Sequence, residues 1–481
     1  MGKPLGVAWG LWITALMVVV VVGACSSDPS ALASSRGTGG SGAGGSDTMS
    51  GSVASSSGTS SGSVTSSSGT GGGSVTSSSG TGGTGCVPVD DGNPCTEDAC
   101  DNGVPSHTPT GVGSPCSVGG TQCDGKGTCI PVVCAGTLGL PGVPAPSVDS
   151  HPFSVTAADL DGDGKPDLAF AGYGNDAVIV LLNQGNGSFA PQATYAVGTD
   201  PQAVTAADLD GDGKPDLAVA NYGNNTVSVL LNQGNGSFAS QVVYAVGTAP
   251  TSVAAADLNG DGKPDLAVAN AASDTVSVLL NQGDGSFAAQ VPYATGSAPG
   301  SVAAADLNGD GKPDLTISNA DSDTVSVLLS QGNGSFAPQV TYAVGSNPTS
   351  VAAADLNGDG EPDLAISNAD SDTVSVLLNQ GNGSFAPQVT YAVGSLPYSV
   401  AAADLDGDGK PDLAIANYSG SSVSMLLNQG NGALAPQVTY TVGLTPIAVV
   451  AADLNGDGKR DLAVTNYGSE TMTVLLNTCI P

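Results

Sequence analysis

From about residue 150 onward, short apolar stretches alternate with stretches rich in glycine and aspartate, on a fixed beat. Asp159 recurs as Asp208, Asp257, Asp306, Asp355, Asp404 and Asp453, each 49 residues after the one before. Within one period the pattern predicts four short strands, exemplified by residues 252–256, 266–269, 275–280 and 288–294. An acidic loop separates the first two. A turn of the type Asn-Gln-Gly-Asn-Gly-Ser precedes the last and supplies glycine where a tight hairpin needs positive φ. Four strands per unit, seven units and a constant period describe an all-β, seven-bladed β-propeller with four-stranded blades. A parallel β-helix is the alternative fold, but its coils would turn about every 20–30 residues, and 49 suits a blade better. The predicted core is Val, Ala and Leu plus one aromatic per blade: Phe189, Phe238, Phe287, Phe336 and Phe385, with Leu434 in the sixth.

The seventh unit stops after its third strand, near Leu476. Counting one period back from Phe189 places residues 140–148 in fourth-strand register ahead of the first blade. The N-terminal segment is therefore expected to complete the last blade and close the ring. Cys134 and Cys479 flank that junction and remain over if the six other downstream cysteines pair among themselves; a Cys134–Cys479 disulfide is predicted. Closing so long a loop is worth about 4–5 kcal/mol in the entropic model.

The segment ahead of the propeller divides into three. Residues 1–24 read as an export signal: Lys3, an apolar run, then Val22-Gly23-Ala24 before Cys25. The ending resembles the bacterial lipoprotein lipobox, which implies a diacylated Cys25 and a lipid-anchored protein of the outer membrane or cell surface. An uncleaved membrane anchor is the alternative. Residues 25–85 are a Ser/Gly/Thr-rich tether with little to bury, a disordered linker with a reach of about 40–45 Å. Residues 86–133 hold Cys86, Cys95, Cys100, Cys116, Cys123 and Cys129, a small disulfide-rich module whose pairing stays open. Zinc is the competing reading, and the missing close Cys pairs speak against it. Residues 134–481 are the propeller.

Composition narrows the function. The chain carries 10 Lys+Arg against 43 Asp+Glu, a formal charge of −33. So few cations cannot neutralise phosphates, so nucleic acid is not an expected partner, and membrane contact is expected through the lipid alone. Removal of the signal would take both tryptophans, Trp9 and Trp12, and leave His107 and His151 as the histidines. That is little material for acid–base catalysis near neutrality, and no catalytic residues or organic cofactor are assigned.

The acidic loops carry the chemistry. Each reads acid, any, acid or Asn, Gly, acid, Gly, any, any, acid. Side-chain oxygens at positions one, three, five and nine, with a carbonyl at seven, suit a hard cation of calcium's size. The sets are Asp159, Asp161, Asp163, Lys165, Asp167; Asp208, Asp210, Asp212, Lys214, Asp216; Asp257, Asn259, Asp261, Lys263, Asp265; Asp306, Asn308, Asp310, Lys312, Asp314; Asp355, Asn357, Asp359, Glu361, Asp363; Asp404, Asp406, Asp408, Lys410, Asp412; and Asp453, Asn455, Asp457, Lys459, Asp461. An EF-hand is excluded in the first loop because Phe170 stands where the bidentate Glu would be. Seven Ca²⁺ ions, bringing fourteen positive charges, would take −33 to −19. On these loops the chain resembles the FG-GAP (VCBS-type) repeats of the integrin α-subunit propeller, over roughly residues 140–477. The Phe-Gly and Gly-Ala-Pro strings that name those repeats survive only as Ser-Phe-Ala and Val-Gly-x-x-Pro.

The face opposite the acidic loops differs from blade to blade. Tyr173, Tyr222, Tyr418 and Tyr467 occupy the turn position in blades 1, 2, 6 and 7, where blades 3 to 5 have Ala271, Ala320 and Ala369. Phe153, Tyr398 and Ile447 add bulk in blades 1, 6 and 7. These seven large side chains form a candidate ligand patch. The expected function is a calcium-binding, lipid-anchored surface module, monomeric and not an enzyme, that binds an extracellular protein or polysaccharide. The alternatives are a lectin-like propeller or a non-catalytic accessory subunit of an extracellular enzyme.

Overall fold

The computed structural model describes residues 96–101, 104–109, 121–123, 129–131, 139–148 and 150–478. Seven four-stranded antiparallel sheets make up the propeller, six of them traversed in chain order from first strand to last and the seventh completed by a strand from ahead of the first blade. In blade 3 the strands are Pro250–Ala256, Asp265–Asn270, Thr275–Leu279 and Val291–Ala294. The fourth begins three residues later than the pattern suggested, because the chain first makes a small hairpin. Asn281 bridges Phe287, and Ala288 N–H donates to Leu280 O at 2.8 Å.

Ring closure follows the expected scheme. Gly142–Ser147 joins the last sheet as its fourth strand, with Leu475 opposite Gly142 and Thr471 opposite Ser147. Thr478 N–H donates to Gly139 O at 2.8 Å, extending that pairing. The strand thus comes from the opposite end of the propeller sequence, and the sheets form a closed disc rather than stacked coils. Cys25, Cys134 and Cys479 lie outside the described residues. In the Cys-rich segment, Thr96–Asp101 pairs with Val104–Pro109, and Thr121–Cys123 with Cys129–Pro131. Among the described residues no helix is long and apolar enough to cross a membrane.

The core lies between blades. Central strands such as Asp265–Asn270 are buried along their whole length, which is why they read as continuous apolar runs and not as alternation. Val and Leu from one blade meet small Ala positions of its neighbour. Phe238, Phe287, Phe336 and Phe385 stand edge-on to Tyr195, Tyr244, Tyr293 and Tyr342 of the preceding blade, at centroid distances of 5.3–5.4 Å. Offset aromatic pairs of this kind add about 0.5–1.5 kcal/mol beyond their buried area.

Candidate metal loops and the opposite face

Each acidic loop begins where a first strand ends and finishes on the first residue of the second strand. Its two glycines hold positive φ, +80° at Gly162 and +85° at Gly164, so the backbone can curl around the side chain that opens the loop. Asp159 Oδ1 accepts from Gly162 N–H at 2.8 Å and Asp163 N–H at 3.0 Å, and Oδ2 accepts from Gly164 N–H at 2.9 Å.

Position nine is the buried anchor. Asp167 Oδ2 accepts from Leu160 N–H at 2.8 Å, and Oδ1 accepts from Asn183 N–H at 2.7 Å. Asp216, Asp265, Asp314, Asp363, Asp412 and Asp461 repeat this arrangement. Burial pushes these carboxyls up from an ordinary 3.8, to about 6 for Asp167 and about 7 for Asp412, against the pull of their two N–H donors. The loop carboxylates nearby raise them further. An anion this costly to bury is one that a bound cation would stabilise.

Three loops bring carboxylate oxygens together: Asp159, Asp161 and Asp167; Asp208, Asp210 and Asp216; and Asp404, Asp406 and Asp412, each set with its ligand atoms within 4.8 Å of one another. The remaining loops have Asn259, Asn308, Asn357 and Asn455 at the third position, so an amide oxygen replaces one carboxylate. Hard oxygen donors at this spacing fit calcium's preference. The fifth position behaves differently. Asp163, Asp212 and Asp408 pair with Lys165, Lys214 and Lys410, and Asp261 and Asp310 meet Lys263 and Lys312 at 3.3 and 3.0 Å. Lys459 stands 3.8 Å from Asp457. Blade 5 has Glu361 where the others carry lysine.

One set of positioning residues went unnoticed in the sequence. The first residue of the Asn-Gln-Gly turn reaches back to the acidic loop of the preceding blade. Asn232 Nδ2 donates to Leu160 O and to Pro215 O, both at 2.9 Å. Asn183 joins blade 1 to Leu454 O of blade 7 at 3.0 Å, and Asn477 joins blade 7 to Leu405 O at 2.7 Å. The 49-residue recurrence of this Asn is the available signal, although local spacing marks it only as turn chemistry.

On the opposite face the exposed patch needs correction. Phe153, Tyr398 and Ile447 are buried. They sit where the first strand slips register by one after its leading proline, and there they pack with the turn tyrosines. Phe153 lies 5.8 Å from Tyr173 and 5.9 Å from Tyr467, and Tyr398 lies 5.6 Å from Tyr418. These three are core, at a ring-wide position where blades 3 to 5 carry the smaller Thr251, Gly300 and Thr349. Tyr173, Tyr222, Tyr418 and Tyr467 are half-buried above them. His151 stacks on Tyr467 at 4.7 Å, and Leu444 is 60% exposed on the neighbouring link.

Fold and loops together define a repeat protein in which each blade presents one acidic loop. Six successive matches to the FG-GAP-like repeat, at residues 159–219, 208–268, 257–317, 316–366, 355–415 and 404–464, cover more than half of the chain, and the protein belongs to that family. No curated protein matches it in sequence. Among solved structures it is similar to BBS1N from a complex with ARL6DN, at 14% identity and TM-score 0.53, over 71% of this chain and 98% of that one. It is also similar to a streptogramin B lyase, at 15% identity and TM-score 0.51, over 71% and 98%. A virginiamycin B lyase from Staphylococcus aureus aligns at 11% identity and TM-score 0.50, over 70% and 99%. At these identities the likeness is one of fold.

Proposed function

We propose that this protein is a calcium-stabilised binding module, exported and held at the bacterial surface by a lipid on Cys25, that engages an extracellular protein or polysaccharide through the face opposite its acidic loops and performs no catalysis of its own. The observation that carries the calcium part is the convergence of carboxylates at Asp159, Asp161 and Asp167 and its counterparts. Occupancy of all seven loops belongs to the same reading, with the Asn-containing loops supplying an amide oxygen. Site affinities on the order of 10⁻⁴–10⁻³ M suit an extracellular module.

The binding part rests on divergence among otherwise near-identical blades. The loop face repeats one pattern seven times, whereas the opposite face concentrates Tyr173, Tyr222, Tyr467 and Leu444 in one sector. The test is a pull-down from cell-surface material with calcium or chelator, using the full chain and a Tyr222→Ala, Leu444→Ser variant. Calcium-dependent capture that the variant loses supports the reading. Capture unchanged in the variant contradicts it.

A further inference from the structure

We propose that the face opposite the acidic loops docks a basic polypeptide, one that presents lysine or arginine beside an apolar residue. The inference rests on the binding role proposed above and names the chemistry of the partner. It begins with where the cations are. Every Lys and Arg among the described residues stands in an acidic loop: Lys165, Lys214, Lys263, Lys312, Lys410, Lys459 and Arg460. Six of these are the lysines that face the fifth-position carboxylates. The loop face therefore carries its own counter-ions, in addition to any metal.

The opposite face carries none among the described residues. Its turns and links present Asp176, Asp200, Asp274, Asp321, Asp323, Asp370, Asp372 and Glu470, all exposed except Asp200, which is half-buried. Their hydrogen bonds are to backbone amides or to neutral or histidine side chains. Asp176 Oδ1 accepts from Asp200 N–H at 3.0 Å, Asp274 Oδ1 from Ala298 N–H at 2.9 Å, and Asp372 Oδ1 from Leu396 N–H at 2.8 Å. Glu470 Oε1 lies 3.4 Å from His151 Nδ1. A surface of one sign with no internal counter-charge attracts and orients the opposite sign.

Within this field the aromatic sector sets the register. Asp200 lies against the turn that carries Tyr222: its Oδ2 would stand 2.6 Å from a Cβ on Gly223, and Tyr222 N–H donates to Asp200 O at 3.0 Å. Burial raises the Asp200 carboxyl; burial is also the main reason the Tyr173 and Tyr467 hydroxyls are raised, and the Asp200 charge adds to it, so the rings share its field. Carboxylates next to tyrosine faces suit an ammonium or guanidinium group, and Leu444 offers an adjoining apolar contact. A polysaccharide without cationic groups would use the rings but not the eight carboxylates.

The test is a direct titration of the full chain, in saturating calcium, with fluorescent peptides of alternating Lys and Leu or alternating Glu and Leu. The Lys–Leu peptide should bind and the Glu–Leu peptide should not. The variant Asp176→Asn, Asp200→Asn, Glu470→Gln keeps side-chain size and backbone acceptors; it should weaken Lys–Leu binding about tenfold, since three partly exposed charges each contribute a fraction of a kcal/mol. Asp284→Asn, on the loop face, should leave binding unchanged. Equal binding of both peptides, or equal loss from the Asp284 variant, overturns the proposal. If the Tyr222→Ala, Leu444→Ser variant loses capture of surface material while the Lys–Leu peptide does not bind, the binding face stands and the basic partner falls. Capture that survives protease treatment of that material assigns a polysaccharide instead and also overturns it. If neither variant changes anything, both readings fall.

Discussion

Blade 4 offers a natural experiment on what joins the blades. At the position of Asn232 and Asn281 it has Ser330, whose Oγ accepts from Gly332 N–H at 3.1 Å but has no reach to the preceding blade. The acceptors are in place regardless. Gly334 N–H donates to Leu258 O at 3.1 Å, as Gly285 N–H does to Leu209 O at 3.2 Å one blade earlier. Ser330→Asn should therefore add two hydrogen bonds of the kind that Asn281 Nδ2 makes to Leu209 O and Pro264 O, both at 2.9 Å. At about 1 kcal/mol each, the gain is about 1–3 kcal/mol, and Tm should rise by about 2–4 °C. Asn281→Ser, the mirror change, should lose a similar amount. Guanidinium and thermal unfolding in excess calcium, wild type beside both variants, would measure this. A destabilised Ser330→Asn protein, or an Asn281→Ser protein that unfolds like wild type, would refute the claim that these amides tie the blades together.

The remaining predictions concern protons, rings and closure. Position-nine carboxyls such as Asp265 sit at about 6 in the folded chain against an ordinary 3.8, so the folded state keeps a proton that the unfolded state has released. In chelator, stability should be greatest below about pH 4 and fall as pH rises through about 6, by up to about 3 kcal/mol per loop. In excess calcium the slope should reverse, because a ligating carboxylate must be ionised; thermal scans across this range with and without chelator would show whether the two slopes differ in sign. Tyr467→Ala removes a ring packed on His151, Phe153 and Tyr173 and should cost about 2–4 kcal/mol, whereas Tyr222→Ala should cost under about 1 kcal/mol in the same unfolding assay. Phe336→Ala, at a core position facing Tyr293, should cost about 3–5 kcal/mol. Deleting residues 139–148 removes the strand that pairs with Thr471–Leu475; hydrogen exchange should then rise first in blade 7.

The fold was legible because period and strand pattern agree at every copy, and the incomplete seventh unit pointed to the missing strand at residues 142–147. The clustering of carboxylates in the acidic loops was legible for a related reason: the residues are local, so spacing alone places Asp159, Asp161 and Asp167 near one another. What was not legible depends on contacts between repeats. The reach of Asn232 to Leu160 spans 72 residues and leaves no mark on the local pattern. Phe153, Tyr398 and Ile447 read as surface residues because they flank links, yet a one-residue slip at the start of the first strand turns them into the core. Asp163 matches the ligand motif, but its pairing with Lys165 depends on side-chain direction, which spacing does not fix.

Metal content bears most directly on the central claim. The purified chain, dialysed against calcium and then buffer-exchanged, should be assayed for bound ions by elemental analysis and calorimetric titration, with unfolding followed in parallel in EDTA. Several calcium ions per chain, up to seven, and a large fall in unfolding temperature on chelation are expected. A chain that binds no divalent ion and unfolds identically in EDTA would contradict that claim.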